Sequence, residues 1–118
     1  MSATPGSAQD AARPATSGAV GGATIDEFLH TPARLNICSL LAPAEWVQFS
    51  FLRETIGTSD SALSKQLAAL EQVGYVEVRK ERAVRLHTSV RLTDAGRSAF
   101  DAYLASLERL VARARGAV

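Results

Sequence analysis

Cysteine, net charge and long apolar runs are all scarce in this chain of 118 residues, and each scarcity closes off a class of protein. A single cysteine, Cys38, cannot build an internal disulfide framework or supply a cysteine-rich metal site on its own, which fits a reducing cytoplasm. A net charge of +1 excludes a uniformly basic coat, so any attraction for nucleic acid must depend on where the charges lie. No stretch approaches the roughly 18 uninterrupted apolar residues of a membrane helix, and no basic start precedes an apolar run. The expectation is a soluble, cytoplasmic protein with no membrane partner. Gly-rich phosphate loops, nucleophile elbows and paired carboxylates are missing too, and Ser89, His87 and Asp94 merely share a strand and its end, so catalysis is not expected. His30 and His87 stand far apart, neither with Cys, Asp or Glu at a ligand-like spacing, so no metal and no cofactor are expected. Cys38, beside Ile37 and near Leu41, reads as a small buried hydrophobe rather than a redox switch.

What is present is enough for one core: 47% of the residues are apolar and 21% charged. Residues 1–23 are almost wholly Ala, Gly, Ser, Thr and Pro and are expected to form a flexible tail, leaving 24–118 as the domain. Thr24 and Glu27 form a capping-box pattern that predicts a short first helix carrying Ile25, Phe28 and Leu29. Thr31 offers a second cap and Pro32 a preset first helical position, ahead of a helix with Leu35, Ile37, Cys38, Leu40 and Leu41 that ends before Pro43. Trp46–Phe49 is a β-prone run suited to one edge strand, and Ser50 a cap for a two-turn helix whose buried pair is Leu52 and Ile56 and whose end is Gly57.

The stretch from Gly57 to Val78 is the most informative. On a wheel of 100° per residue, Leu63, Leu67 and Leu70 fall within about 60° of one another, while Ser61, Lys65, Ala68 and Gln72 lie opposite, with Ser64 on the shoulder. The leucines face a core. The outward side is small and polar with no acid at its centre, which suits entry into a major groove: Ser61 and Ser64 let the helix approach, Lys65 can bond a guanine or a phosphate, and Gln66 can reach an adenine if rotated outward. Asp60 stands at the positive end of the helix, where a structural duty suits it.

Beyond Gly74 the period changes to two. Val76 and Val78, then Val84, Leu86, Thr88, Val90 and Leu92, alternate with polar residues, which predicts a hairpin turning near Glu81 to Ala83. Between Arg79 and Arg91 it carries Arg79, Lys80, Arg82, Arg85 and Arg91 against the single acid Glu81, an excess of positive charge able to meet phosphates. Thr93 caps a last helix expected over 94–115, along which Phe100, Tyr103, Leu104, Leu107, Leu110, Val111 and Ala114 recur at three- and four-residue steps. That stripe runs past the expected edge of a small domain, and homodimerisation is its natural use, with Ile25, Phe28 and Leu29 packing on the partner.

Four motifs stand in order: His30-Thr31-Pro32-Ala33-Arg34-Leu35, Leu63-Ser64-Lys65-Gln66-Leu67, Leu70-Glu71-Gln72-Val73-Gly74-Tyr75-Val76 and Leu92-Thr93-Asp94-Ala95-Gly96-Arg97. Over roughly residues 25 to 112 the chain thereby resembles the short winged-helix transcriptional regulators of bacteria, close to the MarR and ArsR groups. The resemblance implies a mainly helical α+β fold, a winged helix-turn-helix with a C-terminal dimerisation helix. It implies that Ser59, Asp60, Ser61, Ser64, Lys65 and Gln66 meet the groove or its phosphates, and that Arg79, Lys80, Arg82 and Arg85 form the basic wing. It also implies a repressor reading a palindromic operator in double-stranded DNA as a homodimer. Two other functions fit the same residues: a winged-helix module that docks on a protein, and a sensor whose dimer crevice holds an apolar small-molecule effector.

Overall fold

The computed structural model describes residues 25–82 and 86–116, in two compact units. The expected tail 1–23, Thr24, and Ala83, Val84 and Arg85 of the hairpin lie outside the described residues.

The first unit spans Pro32–Ala99. It holds α1 (Pro32–Leu41), β1 (Val47–Gln48), α2 (Phe49–Ile56), α3 (Asp60–Gln72), β2 (Val76–Arg82), β3 (Leu86–Leu92) and the start of α4 (Asp94–Ala114). Helix α1 starts at Pro32, whose fixed φ suits a first turn, and stops two residues before Pro43. The edge strand is shorter than Trp46–Phe49, and Phe49 already opens α2. Gln48 therefore occupies the cap position, without a side-chain bond, in place of Ser50. Leu52 is fully buried while Ile56 is only half-buried, and Gly57 closes α2 at φ 77°, its N–H donating to the Arg53 carbonyl. Helix α3 ends in a paired lock: Tyr75 N–H donates to the Leu70 carbonyl and Gly74 N–H to that of Glu71, with Gly74 at φ 83°.

The three strands are antiparallel in the order β1-β3-β2. Val76 pairs with Leu92, Val78 with Val90, and Arg82 with Leu86. Of the residues expected near the turn, Glu81 and Arg82 lie in strand instead, and Ala83 lies outside the described residues. Glu81 and Arg82 remain in the ladder opposite His87 and Leu86, because the register is set by the buried valines rather than by any turn dipeptide. Helices α1 and α2 pack on β3 and α3 packs on β2, burying Ile37, Cys38, Leu41, Val47, Leu52, Leu63, Leu67, Leu70, Val76, Val90 and Leu92. Thr93 ties the hairpin to α4. Its backbone N–H donates to the Tyr75 carbonyl, its hydroxyl donates to the Gly74 carbonyl, and its Oγ1 accepts from Gly96 N–H at 3.0 Å.

The second unit includes residues 25–31 and 100–116. The expected first helix is a single turn. Asp26 Oδ1 accepts from the amides of both Phe28 and Leu29, at 3.0 and 3.2 Å, an arrangement that satisfies those donors without helix. Thr31 Oγ1, expected to cap a helix, is buried with no hydrogen-bond partner among the described residues. The Tyr103 hydroxyl lies 2.7 Å from His30 Nδ1, and burial first, with the charge of Asp26 second, pushes its pKa up, so it stays a phenol.

Candidate nucleic-acid interface

The expected reading face begins at Ser59, whose Oγ accepts from Ala62 N–H at 3.1 Å and so starts α3 where the chain leaves the α2 turn. From there the helix divides cleanly. Leu63, Leu67 and Leu70 are at most 3% exposed, whereas Ser61, Ser64, Lys65, Ala68 and Gln72 are all exposed, and α2 and α3 with the turn between them form a helix-turn-helix.

The two flanks of this face are occupied. Asp60 Oδ1 holds Arg53 Nη1 at 2.9 Å, and that hydrogen bond and charge keep the guanidinium still more firmly protonated than usual. Asp60 thus ties α3 to α2 across the turn as well as lying at the positive helix end. Gln66 is half-buried on the other flank, and its Oε1 accepts from Arg34 Nε of α1 at 3.0 Å. An arginine only donates, so the amide oxygen is the end turned inward and the NH2 group the end turned away from Arg34.

Strand alternation sorts the wing cations into two sets. Arg79 and Arg91 share one face with Glu77, Glu81, His87 and Ser89. Arg91 binds Glu77 Oε1 through Nη2 at 2.9 Å, and Arg79 Nε lies 3.3 Å from Glu81 Oε2. Both guanidinium groups also flank the half-buried Trp46, with Cζ 3.9 Å from the ring centroid for Arg79 and 5.2 Å for Arg91. Lys80 and Arg82 occupy the other face, in line with Val76 and Val78 on the side covered by α3. Both are exposed and neither is ion-paired among the described residues. Arg79 is therefore set apart from Lys80 and Arg82, two of the cations it was grouped with. The positive excess counted from Arg79 onward began two residues after Glu77, and neither Trp46 nor Ser89 carried a charge signal that could have revealed the sorting. Arg85 lies outside the described residues.

The residues named for dimerisation also divide. Leu29, Phe100 and Tyr103 are at most 3% exposed within the single chain, Ile25, Phe28 and Leu107 are half-buried, and Leu104, Leu110 and Val111 are 37%, 37% and 42% exposed. Among the described residues no three His, Cys, Asp or Glu side chains gather so as to hold a metal ion, and no helix is long and apolar enough to cross a membrane.

This architecture has known counterparts. The profile of the family described as a winged helix DNA-binding domain matches residues 33–111. An uncharacterized protein of Methanocaldococcus jannaschii is 31% identical over 85 residues, which cover 71% of this chain and 92% of that protein. Among solved structures, a transcriptional regulator homologue from Pyrococcus horikoshii is similar with a TM-score of 0.69 at 29% identity, over 72% of this chain and 85% of that one. A MarR-family transcriptional regulator from Silicibacter pomeroyi shares the fold, with a TM-score of 0.59 at 23% identity over 74% of this chain and 58% of that one.

Proposed function

Because the chain belongs to the winged helix DNA-binding domain family, we propose that it acts as a cytoplasmic homodimer that reads a palindromic operator and represses transcription. It is a DNA-binding regulator and not an enzyme. The observation that carries the finer reading is the open face of α3, where Ser61, Ser64 and Lys65 are exposed while the leucines behind them are buried. Short hydroxyl side chains allow close approach to base edges, and Lys65 adds a donor for guanine or phosphate. Lys80 and Arg82 supply positive charge on the wing that is not ion-paired among the described residues, which suits phosphate neutralisation. The exposed Leu104, Leu110 and Val111 support pairing through α4, and a two-fold dimer would set two reading helices about 34 Å apart, one turn of DNA. Occupying a site that overlaps a promoter is the simplest action of a DNA reader that pairs through α4.

Selection of bound fragments from genomic DNA tests this directly. The expected result is enrichment of an inverted repeat with half-site centres about one helical turn apart. In the Lys65→Ala variant, preference at one position of each half-site should fall by about 1–3 kcal/mol while binding to random DNA changes far less. A chain that enriches no sequence, or whose Lys65→Ala variant loses specific and random binding equally, does not read DNA with α3.

A further inference from the structure

We propose that Trp46 is a positioning residue for the wing, and that Arg79 serves with Arg91 as its clamp rather than as a phosphate ligand. The proposal rests on the DNA-binding reading and deepens it. Trp46 directly precedes β1, the edge strand, which pairs with β3 only through Val47 and Gln48. A two-residue pairing is a weak tie, yet the ring of Trp46 meets Arg91 on the central strand and Arg79 on the far strand, so one side chain spans all three. The space for that crossing comes from Ser89, which is paired with both Gln48 and Arg79 and carries only a hydroxymethyl group on this face. Glu77 fixes Arg91 through Nε and Nη2, both at 2.9 Å, and Glu81 flanks Arg79, so the cations over the ring are held in place and neutralised.

The consequence lies on the opposite face. Lys80 and Arg82 alternate with Arg79 and Glu81 along one strand, so whatever fixes the twist of β2 also fixes where these two cations stand. With Arg79 stacked on indole and beside Glu81, the described part of β2 offers two phosphate ligands rather than three.

A double-mutant cycle on the full chain tests the clamp, with two readouts: amide hydrogen exchange along β2 without DNA, and the slope of log affinity against log salt on a mixed-sequence DNA duplex. Trp46→Ala and Arg79→Ala should each speed exchange in β2 and lower the salt slope by similar amounts, and the double variant should go no further than either. Trp46→Phe, which keeps a ring face, should behave as wild type. A merely structural loss would reduce the active fraction and leave the slope where it was. The clamp is overturned if Arg79→Ala, an exposed substitution that spares the core, leaves β2 exchange unchanged. It is equally overturned if Arg79→Ala lowers the slope by about 0.9 in both backgrounds, the signature of a phosphate contact. A wild-type chain without salt-dependent binding would overturn the DNA reading itself, and the wing's role with it, whatever the exchange data show.

Discussion

Two glycines of this chain are required for different physical reasons. Gly74 stands at φ 83° with open space where a Cβ would go, so its demand is conformational. Gly96 has no such backbone demand, but a Cβ there would run into the carbonyl oxygen of Tyr75, because Thr93 draws the first turn of α4 onto the turn that ends α3. The Gly74→Ala variant should lose about 1–2 kcal/mol from the left-handed geometry. Gly96→Ala should lose at least as much, since backbone rather than a flexible side-chain end blocks the methyl and overpacking costs about 1–3 kcal/mol or more. Thermal unfolding would separate them from wild type by about 4–8 °C per kcal/mol in a domain of this size. A Gly96→Ala protein that melts with the wild type would show that α4 and the Tyr75 turn can part without cost.

The elements show how burial and register divide labour. Helix α3 has a buried leucine edge and an open polar side, and its ends are closed by Ser59 and by the Gly74 turn, so its exposed residues are presented on a fixed scaffold. The wing is different: its charge was countable in sequence, but its pairing with Glu77, Glu81 and Trp46 depends on which residue faces which across the ladder. Replacing Lys80 and Arg82 together with Ala should lower the salt slope by about 1.8, two phosphate contacts' worth, and weaken binding to all sequences alike. An unchanged slope would remove the wing from the interface. Titration of a labelled duplex at several salt concentrations reads the difference.

Assembly concerns the chain as a unit. Leu29, Phe100 and Tyr103 are buried without a partner, so replacing them would unfold the chain rather than dissociate a dimer. The discriminating substitutions are at Leu110 and Val111, which α4 leaves exposed. The Leu110→Asp/Val111→Asp variant should sediment as a monomer with its fold intact by circular dichroism, and should bind an inverted-repeat site far more weakly, since each half-site then binds alone. A variant that remains dimeric would move the pairing surface away from the end of α4.

Periodicity made much of this protein legible in one dimension. The leucine stripe of α3, the alternation through Val76 and Val78 and through Thr88, Val90 and Leu92, the Thr93 cap and the glycine closures at Gly57 and Gly74 are short-range patterns, and the structure realises each of them. They sufficed for the winged-helix fold. Contacts between distant positions were not legible. Arg34 turned the Gln66 amide, and Trp46 gathered Arg79 and Arg91 from two strands. A local pattern reports only which face of its own helix or strand is apolar. Which side chain then neutralises, stacks on or turns another depends on residues brought together by the packing, and a linear charge count cannot contain that information.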